Sequence, residues 1–184
     1  MLTHSNAWKN ANQTSVLYQT VQDGTTLTLS RVVPLLRTVI TSTPGVTASS
    51  AYSSGECVGG LLTLANAVEG GDLLGGVIQN VVITDKDSQS GTYDIWFFDA
   101  SPATGSTITD HSAFAIGSTQ LPHVLGYATV STWSAASGGS IGQALVNLPI
   151  FLAATSLYAV IVTRSTQTFT TTSSLSIRVV LAVD

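Results

Sequence analysis

Residues Leu175–Val183 constrain the fold of this chain more than any other stretch. Leu175, Ile177, Val179, Leu181 and Val183 alternate with Ser176, Arg178, Val180 and Ala182, a period of two that gives a strand one apolar face. Helical periodicity is hard to find anywhere. Short β-branched runs recur instead, separated by Gly, Ser, Asp and Pro at regular intervals, the signature of a sandwich or barrel. Eight strands are predicted, over 46–52, 57–67, 76–84, 92–99, 124–133, 141–151, 157–164 and 173–183. The expected fold is all-β, a two-sheet antiparallel sandwich of jelly-roll-like form, which closes most strand edges by packing sheet on sheet. In the fourth run Tyr93, Ile95 and Phe97 alternate with Asp94, Trp96 and Phe98. Both faces are aromatic there, which points to a central strand or to one covered by a partner.

The connections carry turn chemistry. Residues 85–91, Asp-Lys-Asp-Ser-Gln-Ser-Gly, read as a polar hairpin loop with Gly91 supplying positive φ. Residues 109–120 allow one short helix, with Thr109 or Asp110 as N-cap and Gly117 as stop. With 184 residues the chain is expected to be one domain able to bury a core without disulfides or metals.

Residues 1–45 read differently and are assigned to an N-terminal arm, with the sandwich domain at 46–184. Polar residues dominate to Thr14, residues 25–30 alternate as a strand does, Pro34 follows Val33, and 41–45 (Thr-Ser-Thr-Pro-Gly) reads as a linker. The apolar anchors Trp8, Leu17, Tyr18, Leu27 and Leu29 are the candidate partner-binding residues. The arm either pairs with its own sandwich as an edge strand or reaches another subunit.

Composition narrows the function. Charged residues make up only 9% of the chain, against roughly 25% in an ordinary soluble domain. Hydroxyls replace them, as 26 Thr and 23 Ser. A net charge of −4 with six Lys and Arg in all argues against a phosphate-binding surface, so nucleic acid is not the expected partner. The 53 residues from 111 to 163 contain no Asp, Glu, Lys or Arg, yet Gly, Pro and many Ser and Thr interrupt every window long enough to cross a membrane. Low charge density removes a common defence against self-association, so part of this surface is expected to be hidden against partners. The single cysteine, Cys57, forms no intrachain disulfide, and the first ten residues show no secretory signal.

Few residues carry catalytic or metal-binding patterns. Gly138-Gly139-Ser140-Ile141-Gly142 matches G-x-S-x-G, but a nucleophile elbow needs a strand before the serine and a helix after it, and here loop precedes and strand follows. His4, His111 and His123 are isolated, without spacing that places two imidazoles on one metal. Asp85, Asp87 and Asp94 form the best cation candidate, able to supply oxygens to calcium, although the spacing does not fit an EF-hand; the alternative is a solvated hairpin. Asn12-Gln13-Thr14 is a glycosylation sequon that matters only on a secretory route. No catalytic residue, metal or cofactor is predicted.

One stretch carries a resemblance. Tyr52-Ser53-Ser54-Gly55-Glu56-Cys57-Val58-Gly59-Gly60 is similar to a Y-x-x-G-[DE]-x-[VI]-G opening found in small β-sandwich structural proteins of tailed bacteriophages. The glycine-led strand from Gly75 to Asp85, then Asp94-Ile95-Trp96-Phe97-Phe98-Asp99 with Pro102 after it, resemble the strands that follow in that family. Asp110-His111-Ser112-Ala113-Phe114-Ala115-Ile116 resembles its D-N-x-A-F-x-[IL] loop, with His111 in place of the usual Asn. The resemblance covers about residues 46–184. It implies a virion structural protein, a capsid decoration (cement) protein made in the host cytoplasm and placed on the outer capsid surface. Its implied partners are the major capsid protein and further copies of itself, as a homotrimer. The alternative function is a carbohydrate- or receptor-binding module of a fibre, stacking sugars on Trp96, Trp133 or Tyr127.

Overall fold

A computed structural model describes residues 18–22, 27–31, 36–68 and 75–183. Its strands are β1 (Tyr18–Gln22), β2 (Leu27–Arg31), β3 (Leu36–Ser42), β4 (Ala51–Tyr52), β5 (Cys57–Leu64), β6 (Gly75–Asp85) and β7 (Tyr93–Phe98). They continue as β8 (Val124–Val130), β9 (Trp133–Ala136), β10 (Gly139–Phe151), β11 (Leu157–Thr163), β12 (Gln167–Thr168) and β13 (Leu175–Val183). Among the described residues the only helix is a single 3₁₀ turn, Leu121–His123.

Two antiparallel sheets form the body. One has the order β3-β13-β6-β10-β9, the other β5-β11-β7-β8. Setting aside the short β4, β9 and β12, the remaining eight strands from β3 onward, counted along the chain, run 1-8-3-6 in the first sheet and 2-7-4-5 in the second. Alternate strands therefore cross between sheets, which is the jelly-roll order of two interlocked Greek keys. The period-two face of β13 does what its sequence requires, with Leu175, Ile177, Val179, Leu181 and Val183 all fully buried. They meet Ile78, Val81 and Ile83 of β6 on the same sheet and, across the sandwich, Tyr93, Ile95, Phe97, Ala159 and Ile161.

Four expectations need correction. The first jelly-roll strand is β3, not 46–52, and β3 pairs with β13 along its whole length; the sandwich therefore begins near Leu36, ten residues earlier than the boundary drawn at Val46. As an edge strand β3 offers the core little besides Ile40, so its inward row (Thr38, Ile40, Ser42) lacks a strong apolar signature, and Thr41 and Ser42, expected in a linker, are its last two residues. Second, the 85–91 loop is no hairpin, because β6 and β7 belong to different sheets. Gly91 does not use positive φ either; a Cβ there would overlap the Gln167 side chain. Third, residues 109–120 form turns and bridges rather than a helix. Fourth, the run 124–133 is broken into β8 and β9, which lie in different sheets.

The hairpin β1–β2, which contains Tyr18, Leu27 and Leu29, hydrogen-bonds between its own two strands. Trp8 and Leu17 lie outside the described residues, as do His4 and the 12–14 sequon.

Candidate functional site

The family-like motifs meet in space. The connection from Asp99 to His123 folds back over the outer face of the β5-β11-β7-β8 sheet and lies along the edge of β5. Cys57 N–H donates to Ser112 O (2.9 Å), His111 N–H to Cys57 O (2.9 Å) and Phe114 N–H to Gly55 O (2.8 Å), with an antiparallel bridge between Glu56 and Ala113. An edge strand that would otherwise offer free backbone groups to other chains is closed by this cover. Under it sits a second apolar cluster of Cys57, Phe98, Ile108, Val160 and Val162, flanked by Trp96 and Phe114. This explains the aromatic outward face of β7 noted in the sequence: its own chain covers it.

Asp110 is the clasp of that cover. Its carboxylate accepts hydrogen bonds from Tyr52 Oη (2.8 Å), Thr47 Oγ1 (2.7 Å) and Gly59 N–H (2.5 Å). Gly59 and Gly60 both have positive φ and form a bulge opposite Val160 and Ile161, and a Cβ on Gly59 would collide with Pro44. The paired glycines of the motif are thus required by backbone geometry. His111 stacks on Tyr52, with centroids 4.6 Å apart. Its Nδ1 lies 3.0 Å from Glu56 Oε2 and its Nε2 2.9 Å from Ser50 Oγ. Burial, reinforced by the Asp110 hydrogen bond, pushes the Tyr52 hydroxyl well above its usual range.

The same packing governs Cys57, whose thiol is pushed up to about 11 by burial first and then by the nearby charges of Asp110 and Glu56. In the unfolded chain the thiol ionises at about 8.5. Its contribution to stability is therefore complete below that pH and is lost as pH rises through the folded value. The expected result is that the native protein resists iodoacetamide at pH 8 and reacts once denatured, with stability declining above pH ~9. Rapid alkylation of native protein would show the cover to be open.

The remaining chemical candidates are occupied by structural roles. Ser140 is buried in the first residues of β10 and accepts a hydrogen bond from Ser90 Oγ (3.0 Å); strand, not helix, follows it. Asp85 is fully buried rather than solvated and accepts from the N–H groups of Asp87 (2.9 Å) and Ser90 (3.0 Å), folding the crossover loop around itself. Asp87 instead accepts from Thr170 N–H at 2.8 Å and from its hydroxyl at 2.5 Å. Burial opposes ionisation of that carboxyl, but hydrogen bonds from Ser174 and Thr170 and the charge of Lys86 hold it below its ordinary range. Asp94 accepts from Arg164 Nε and Thr129 Oγ1, both at 2.7 Å. Among the described residues no three His, Cys, Asp or Glu side chains gather as a metal site. His123 pairs with Asp99 at 2.8 Å. Of the three sugar-stacking candidates, Trp96 is held between Phe114 and Tyr127, and Trp133 packs edge-on to Tyr93 and donates to Gly91 O. Tyr127, 56% exposed, stacks one face of its ring on Trp96.

What sequence reasoning missed is a surface. The outer face of the β3-β13-β6-β10 region presents three cross-strand rows: Thr41-Arg178-Val82-Gln143, Val39-Val180-Asn80-Leu145 and Arg37-Ala182-Val77-Pro149. Leu145 is 84% and Val39 53% exposed, and Phe151, beyond the last row, is 77% exposed. Two bulges adjoin on this face, one in β6 at Gln79 and one in β10 at Val146 and Asn147. Between them lies a depression lined by Arg37, Gln79, Asn80, Leu145, Asn147 and Val180. Leu145 and Phe151 could have been suspected from the charge-free stretch 111–163, but strand register alone places Val39 on the same face. No helix among the described residues is long and apolar enough to cross a membrane. No protein-family model matches the chain, and no curated protein matches it.

Proposed function

We propose that this protein is a virion structural component, a capsid decoration protein that binds the outer surface of a phage head and performs no catalysis. The observation that carries the reading is the exposed outer face of the larger sheet, where Leu145, Phe151 and Val39 stand in water on a sandwich whose buried or half-buried carboxylates Asp85, Asp94 and Asp110 hold its loops. Exposed apolar patches of this kind mark interaction surfaces. The jelly-roll order is compatible with the reading, since that architecture serves capsid and lectin domains alike, but the fold by itself assigns no function. The motifs shared with phage structural proteins also have structural roles here: Tyr52, Gly59 and Asp110 clasp the cover, which suits a protein selected for rigidity. In this reading the partners are the major capsid protein and two further copies of the chain, and the arm anchors Trp8, Leu17, Tyr18, Leu27 and Leu29 add contacts by ordering on a neighbour.

Deleting residues 1–30 tests the reading, because β3 and all later strands are retained. The truncated protein is expected to melt as the parent does and to co-sediment far less with undecorated shells, since each weak arm contact is multiplied around a symmetric assembly. Unchanged binding would remove the arm from the interface, and loss of folding would place it in the core.

A further inference from the structure

We infer that the outer face of the larger sheet docks on a protein surface that presents carboxylates among apolar side chains, with Arg37 and Arg178 as the charged anchors. This deepens the decoration reading and rests on it. Arg37 and Arg178 are two of only six basic residues in a chain of net charge −4. They stand exposed on the adjacent strands β3 and β13, four register positions and so two same-face rows apart. No carboxylate occurs in the three rows of this face, and neither arginine has a salt bridge among the described residues. Arg37 only donates to the neutral Gln79 (3.3 Å). Of the other four, Arg164 is paired with Asp94, Lys86 donates to Ser173 O, and Lys9 and the Arg31 side chain lie outside the described residues.

The face therefore combines exposed Val39, Leu145 and Phe151 with two arginines that no carboxylate among the described residues pairs. An acidic partner is repelled by the net charge of an acidic molecule and attracted at this face, so the two arginines set orientation as well as affinity. Guanidinium groups suit this work because they pair with carboxylates in a bidentate way while lying on apolar surface. The three rows of the same face on a second copy offer no carboxylate to receive them. The amide side chains around the depression, Gln79, Asn80 and Asn147, of which Asn80 Oδ1 has no hydrogen-bond partner, fit a protein surface with hydrogen-bonding groups held in place better than they fit fluid lipid headgroups.

The test is co-sedimentation of the full chain with undecorated shells, comparing wild type, the double variant Arg37→Glu/Arg178→Glu, and Lys86→Glu as a charge control away from the face. Melting curves establish that each variant is folded, which exposed positions should permit. The expected result is wild-type binding that weakens with added salt, at least a tenfold loss in the double variant, and little change in the control. Equal binding by the double variant overturns this inference and leaves the decoration reading standing. Wild-type protein that remains in the supernatant overturns the decoration reading, and the inference with it. Two other outcomes also overturn the inference: flotation of wild type, but not the double variant, with phosphatidylserine vesicles would assign the face to a membrane, and conversion of a stable oligomer to monomer by Leu145→Asp would assign it to a second copy.

Discussion

Ile177→Asp should lower the stability of the protein by about 4 kcal/mol or more, moving the melting temperature by on the order of 10 °C. Ile177 is fully buried in the first half of β13, flanked by Ser42 of β3 and Ile83 of β6, and its side chain enters the main core. A carboxylate there has no cation within reach and either stays ionised in an apolar medium or takes up a proton, and both cost free energy. Ser176→Asp, one residue away and directed to the outer face, is the internal control and should change stability by less than about 1 kcal/mol. Thermal denaturation of the pair reads the register directly. Equal melting of the two variants would mean that β13 is not oriented as described.

Asp110→Ala should cost about 2–4 kcal/mol and loosen the cover over the smaller sheet. The substitution leaves Thr47 Oγ1 and Gly59 N–H without their acceptor and strips the buried Tyr52 hydroxyl of its strongest partner, and a buried donor left unpaired costs about 1–3 kcal/mol. Asp110→Asn keeps an acceptor oxygen and should fall between wild type and Ala. Because Tyr52 and Asp110 act through one network, Tyr52→Phe combined with Asp110→Ala should cost less than the sum of the two single changes. Melting curves give the energies, and Trp96 fluorescence reports the cover, since Phe114 packs against that indole from the cover side. Additive costs would show that the clasp does not act as a unit.

Both substitutions probe features that differ in how visible they were. The β13 alternation could be read from nine consecutive residues, because a strand's side chains switch faces at every step and a half-buried strand must record that in its sequence. The same logic located β5, β6, β7, β10 and β11 to within a few residues. It failed for β3, where an edge position asks little of the inward row, and at the β8–β9 break, where the chain changes sheets inside one β-rich run.

The function of the motif residues was legible only in part. The sequence by itself determined that the protein is all-β, that it can bury a core without disulfides, and that its charge is sparse and net negative. Each of these follows from local periodicity or composition. Tertiary structure alone decided that Tyr52, Gly59 and Asp110, up to 58 residues apart, form one clasp, that Asp85 turns inward to hold a crossover loop, and that Arg37, Arg178, Leu145 and Val39 share one outer face. These depend on which strands are neighbours and in what register. That choice is made by the summed burial of the whole sandwich, and no local segment of the chain contains it.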